Sequence, residues 1–157
     1  MVKTKRKEKA KWLLTIGAVV MSAVALVSSL FGLSKNETTE NVTNSMYAVG
    51  TINETGKIVE SKKSAYMKNA QTTEDLTIDI DEETATITYK VVYYDEDEKF
   101  LSITESLSED LDSTTIPENA EYFRVVVTPN QVDEEDVTLN AFNKSKYTSQ
   151  LDITFKK

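Results

Sequence analysis

The chain has 157 residues, no cysteine, no histidine and a formal net charge of −8. That composition excludes disulfides, thiolate nucleophiles and imidazole bases or ligands, and with them most zinc and transition-metal chemistry, so no cofactor is expected. Residues 1–11 hold six cations (Lys3, Lys5, Arg6, Lys7, Lys9 and Lys11) against Glu8, a net of +5, while the remainder holds 12 cations and 25 acids, a net of −13. A body this acidic repels phosphate backbones, so no nucleic-acid partner is expected.

The basic flank, residues 1–11, leads into an apolar run. From Trp12 to Leu33 no charged residue occurs over 22 residues. As a helix this stretch would reach roughly 33 Å at 1.5 Å per residue, enough for a hydrocarbon core of about 30 Å. A single helix satisfies its own backbone groups there. Trp12 stands where an interfacial aromatic belongs, and only Lys35 closely follows the span. The positive-inside bias therefore predicts a signal anchor over 12–33, with a cytoplasmic N-terminus and residues 34–157 outside the cell. The competing expectation is secretion after cleavage at the small residues Ala23-Val24-Ala25; "LVSSLFGL" continues the apolar run past that point. Ala18, Ser22, Ala25 and Ser29 share one helical face, a seam through which two spans can approach as a homo-oligomer, or simple filler between larger residues.

Residues 34–46 are polar and aperiodic and read as a linker. Asn36, Asn41, Asn53 and Asn143 each begin a glycosylation triplet, a pattern that arises easily in chains rich in Asn and Thr. From Tyr47 to Lys157 the pattern turns to period two. Leu76, Ile78 and Ile80 share a face, as do Ala85, Ile87, Tyr89, Val91 and Tyr93, then Phe123, Val125 and Val127, then Leu151, Ile153 and Phe155. "YAVGTI", "KIVE", "KFLSIT" and "VTLNAF" add shorter strand candidates. Short strands rich in Thr, Val, Ile and Tyr, separated by polar turns, predict an all-β, antiparallel sandwich. In "TINETGKIV" Asn53 to Gly56 is a hairpin loop with Gly56 at positive φ. Pro117 and Pro129 bracket the strand around Phe123, where neither must donate to a central ladder.

Asp95–Glu98 sits between "VVYY" and "KFLSI" and has the length of a four-residue hairpin loop. The alternating acids, glycine and distal glutamate of a Ca²⁺ loop are missing, so solvation is the leading expectation, with a weak Ca²⁺ site as its rival. Asp133–Asp136 reads the same way. A paired-carboxylate hydrolase needs two converging acids, which no spacing here indicates. Tyr47, Tyr66, Tyr94 and Tyr122 are candidates for solvent-side strand positions, with Arg124 beside Tyr122. Such a face can stack a sugar ring or peptide group and hydrogen-bond its edges; equally, these rings can pack against loops, with Arg124 paired to an acid.

Three stretches, "GTINETGKIVES", "VVYYDEDEKFLS" and "TIPENAEYFRVVVTP", carry a resemblance. In this order and spacing the chain resembles a module recurrent in Firmicute surface and prophage-encoded proteins, over most of residues 47–140. The resemblance implies a jelly-roll β-sandwich, similar to carbohydrate-binding modules and to domains of phage tail and receptor-binding proteins. It implies no catalytic residue, and no enzymatic domain accompanies the module here. Tyr94, Tyr122 and Arg124 are the candidate ligand-binding residues. The expected partner is a cell-wall or surface glycan or an envelope protein. The alternative is a non-catalytic structural or assembly component of a phage- or mobile-element-derived envelope complex.

Overall fold

A computed structural model describes residues 38–130 and 137–157. The basic flank, the predicted span 12–33 with its Ala18, Ser22, Ala25 and Ser29 seam, and the second acid run Asp133–Asp136 lie outside the described residues. Among the described residues, no helix is long and apolar enough to cross a membrane.

Thr38–Lys157 form one unit built almost wholly from antiparallel strands. Three strands make one sheet, in the order β1 (Thr39–Asn41), β11 (Leu151–Lys156), β7 (Thr77–Ile80). A six-stranded sheet runs β2 (Tyr47–Val49), β5 (Ala65–Met67), β10 (Tyr122–Pro129), β8 (Ile87–Tyr94), β9 (Phe100–Ile103), and β6 (Gln71–Thr72) also pairs with β10. β3 (Thr51–Ile52) and β4 (Ile58–Val59) form a separate hairpin.

The predicted alternation selects the faces. Ile87, Tyr89, Val91 and Tyr93 on β8 and Phe123, Val125 and Val127 on β10 join Ile78, Ile80, Leu151, Ile153 and Phe155 of the smaller sheet in one buried cluster. The two sheets thus share a core. Phe123 and Phe155 meet across it edge to face, with ring centroids 5.9 Å apart. Strands of period two turn one face to the core, and this is why the core is legible as every second residue.

Two hairpin loops are chemical twins. In "NETGK", Asn53 Oδ1 accepts from Thr55 N (3.1 Å) and Lys57 N (2.9 Å), and Gly56 N donates to Asn53 O at 2.9 Å. In "DEDEK", Asp95 Oδ1 accepts from Asp97 N (3.0 Å) and Lys99 N (2.9 Å), and Glu98 N donates to Asp95 O at 3.0 Å. Both close a tight turn with a left-handed fourth residue: Gly56 has φ +75° and Glu98 φ +58°. The four-acid run is therefore a hairpin loop, and its first carboxylate is engaged by its own backbone. Gly56→Ala is expected to lose about 1–2 kcal/mol through φ alone. The loss should be larger in practice, because the new Cβ would lie 2.5 Å from the Phe100 ring. Glu98→Gly relieves the same backbone strain, offset by added freedom in the unfolded chain, for a gain of about 0.5 kcal/mol. Urea unfolding midpoints of the two variants should move in opposite directions.

Three expectations need correction. "VTLNAF" does not form a strand: residues 137–140 have no regular structure and a turn follows. Asn140 Oδ1 accepts from Phe142 N and Asn143 N, and Asn143 Oδ1 accepts from Asn140 N, so side-chain amides capture the backbone groups a ladder would need. Leu139 is nonetheless buried. Part of the expected linker is structured, because β1 pairs with β11 from Thr39↔Lys156 to Asn41↔Thr154. Tyr47 faces the core rather than solvent, at 3 % exposure.

Candidate functional site

The register of β8 against β10 sets Tyr94 opposite Tyr122, Val92 opposite Arg124 and Lys90 opposite Val126. These even-numbered residues point away from the inter-sheet core, onto the outer face of the six-stranded sheet. There a second, smaller cluster forms from Ile52, Val92, Tyr94 and Val126, flanked by Tyr66, Phe100, Ile103 and Tyr122. A bulge between Tyr93 and Tyr94 puts Phe100 opposite Tyr94.

The β3–β4 hairpin lies over this face as a strap. Its two glycines explain how it sits so low. A Cβ on Gly50 would come within 2.8 Å of the Tyr66 ring, and one on Gly56 within 2.5 Å of Phe100. Tyr66 belongs to β5 and Phe100 to β9, so the strap crosses the intervening β10 and β8, and Ile52 is buried between the two glycines. The G-x-I-x₃-G spacing thus seats a hairpin on two aromatic rings.

Tyr94, Tyr122 and Arg124 are brought together. The Arg124 guanidinium lies 5.3 Å from the centroid of the Tyr94 ring, a cation–π contact. Tyr94 is consequently covered, at 6 % exposure, whereas Tyr122 and Arg124 are half-buried. Tyr122 keeps the more open ring, and Tyr94 serves as the bed on which Arg124 rests. Burial raises the Tyr94 ionisation above the ordinary phenol value, and the Arg124 charge pulls the other way. The Tyr94 hydroxyl and Arg124 Nε are both buried without a hydrogen-bond partner among the described residues.

Arg124 also lies at a break in the sheet. β5 pairs with β10 at Val126↔Tyr66 and Val127↔Ala65, and β6 pairs with it at Phe123↔Gln71 and Tyr122↔Thr72. Residues 68–70 leave the ladder between these pairs, alongside Arg124. Beyond Tyr94 and Tyr122, at the strand ends, Asp95, Glu96, Asp97, Asn119 and Glu121 line a cleft of about 320 Å³.

The far side of the molecule differs in charge. Asp79 on β7 stands directly opposite Asp152 on β11. Together with Asp81, Asp110 and Gln150 they line an open depression of about 620 Å³. Asp110 is engaged there by Ile80 N at 2.8 Å. Among the described residues, no group of three or more acids is arranged to hold a metal ion.

Lys90 was not singled out from the sequence. Its signal was present, since the alternation that puts Tyr94 on the outer face puts Lys90 there too. Comparison of the chain with protein-family models, curated proteins and solved structures found no match.

Proposed function

We propose that this chain is a membrane-anchored, non-catalytic binding module that holds its β domain outside the cell and takes a surface saccharide on the outer face of the six-stranded sheet. One observation carries the reading: Arg124 rests on Tyr94 beside the half-exposed ring of Tyr122, with no ion pair among the described residues. An aromatic ring next to a hydrogen-bonding fork matches the two aspects of a sugar, its apolar face and its polar rim.

The strand order supports a jelly-roll winding. The chain passes from β1 to β5, back to β7, across to β8 and β9, then to β10 and finally β11, changing sheets as two interlocked Greek keys do. Between β9 and β10, Leu111 N donates to Ile78 O at 2.9 Å and Asp110 accepts from Ile80 N, so residues 110–111 run beside β7 where an eighth strand would lie.

The test is retention of the full-length chain, in detergent, by purified cell-wall material. Retention should fall at least about tenfold for Tyr122→Ala, the cost of losing a stacking ring. Absence of any retention of the unmodified chain would overturn the saccharide reading.

A second reading, as an assembly component of a phage- or mobile-element-derived envelope complex, draws on β4. Ile58 is 49 % and Val59 38 % exposed on a strand whose outer edge pairs with nothing among the described residues. Photo-crosslinking from position 58 in intact cells would give a defined protein adduct under that reading alone.

A further inference from the structure

The outward side chains of β8 and β10 include two cations, Lys90 and Arg124, and no carboxylate. This is unexpected in a chain with 26 acids against 18 cations. Neither cation forms an ion pair among the described residues. Glu105, which follows β9, is exposed and makes no such pair either. Asp95, Glu96, Asp97 and Glu121 gather at the strand ends, and the strap laid over the face adds the exposed Glu54 and Glu60. The outer side of the other sheet has the opposite character, with Asp79 and Asp152 in direct opposition. The outward side chains of β8 and β10 thus make an aromatic, cationic surface on an acidic body.

Arg124 Nε, buried and without an acceptor among the described residues, has given up hydration without replacing it. The planar guanidinium fork matches a carboxylate in two parallel hydrogen bonds. Tyr122 and Arg124 are successive outward positions of one strand, about 7 Å apart at 3.4 Å per residue. A pyranose ring stacked on Tyr122 that carries a carboxylate directly on the ring spans that interval. A phosphate-linked polyol brings charge but no ring to stack. Lys90 lies diagonally across the β8–β10 pair from Arg124, about 7–8 Å away, within reach of the next acidic group along a chain.

Resting on the saccharide reading above, we propose that the outer face selects an acidic sugar: a uronic-acid residue stacks on Tyr122, Arg124 receives its carboxylate, and Lys90 attracts the next one. Tyr94 is a positioning residue, its ring lying under the guanidinium.

Titration calorimetry of the full-length chain in detergent tests this with three probes: a galacturonate oligomer, the neutral galactose oligomer of the same length, and polyglycerol phosphate. The galacturonate oligomer should bind at least about tenfold more tightly than its neutral counterpart, the scale of one charge-assisted bidentate contact. That preference should shrink as salt is added. Arg124→Gln should abolish the preference. Arg124→Lys, which keeps the charge and guards against a folding defect, should restore only part of it. Equal binding of acidic and neutral oligomers, or equally tight binding of polyglycerol phosphate, would overturn the acidic-sugar assignment and leave the saccharide reading standing. Failure of every saccharide and of wall retention would overturn both.

Discussion

Replacing Phe123 by alanine is expected to remove about 3–5 kcal/mol of folding stability, the usual cost of emptying a buried aromatic site. Phe123 is fully buried on β10, the strand that pairs with β5, β6 and β8. Its ring meets Phe155 of β11 edge to face, so it is also a direct link between the two sheets. Such aromatic pairs add about 0.5–1.5 kcal/mol beyond burial. Domains of this size are stable by only about 5–15 kcal/mol in total. The variant should therefore unfold at a much lower urea concentration, with Phe123→Leu falling between the two. Far-UV circular dichroism reports this well, because the lone Trp12 lies outside Thr38–Lys157. A midpoint shift no greater than that of an exposed substitution such as Phe142→Ala would contradict the shared core.

Stability should also collapse on the alkaline side. Burial pushes the Tyr93 phenol up to about 12 and raises those of Tyr47 and Tyr89 further above the ordinary value of 10.0. For Tyr89, burial is the main cause, and the neighbouring Asp110 adds to it. A raised folded-state value means that the native state keeps its protons while the unfolded chain loses them. Below the unfolded value of 10.0 these groups make no difference. Above it stability falls by about 1.4 kcal/mol per pH unit for each tyrosine, or roughly 4 kcal/mol per unit for the three, until the folded-state values are reached. Urea midpoints should hold steady to about pH 9.5 and then drop steeply. The hydroxyls of Tyr47 and Tyr93 have no hydrogen-bond partner among the described residues, so Tyr47→Phe with Tyr93→Phe sacrifices no bond there. That double variant should gain about 1 kcal/mol at neutral pH by removing unsatisfied polar atoms. It should also lose stability less steeply above pH 10. Tyr89→Phe is the contrasting case, because its hydroxyl donates to Glu109 O at 2.8 Å. Identical alkaline slopes in the unmodified chain and the double variant would show that the buried phenols are not responsible.

The long strands were legible because each buries one face completely. Every second residue of Ile87 to Tyr93, Phe123 to Val127 and Leu151 to Phe155 is apolar and belongs to the observed core, while Val92 and Val126 between them are buried on the outer face. Elements held by backbone pairing alone were not legible. β1 buries no apolar side chain, and β6 is the half-exposed pair Gln71 and Thr72. "VTLNAF" carried the right alternation, but two asparagines able to close a turn on themselves outweighed it. At the candidate site the sequence left the arrangement of the residues open. Alternation places Tyr94, Tyr122 and Arg124 on one face. It does not reveal that a strap seated on two glycines, together with the guanidinium itself, covers Tyr94.

The twin loops separate shape from chemistry. The turn at Asp95 needs an Asn or Asp acceptor at its first position and a residue that tolerates the left-handed region at its fourth; no backbone hydrogen bond calls on the carboxylates of Glu96 or Asp97, whose one contact is an exposed ion pair of Asp97 with Lys99 at 2.7 Å among the described residues, and Glu54 and Thr55 stand there in its counterpart. Those two side chains line the cleft at the end of the outer face of the six-stranded sheet. A lineage carrying this scaffold can recolour that rim from acidic to neutral or basic at almost no cost in folding, retuning which molecules it attracts while the backbone beneath stays as it is.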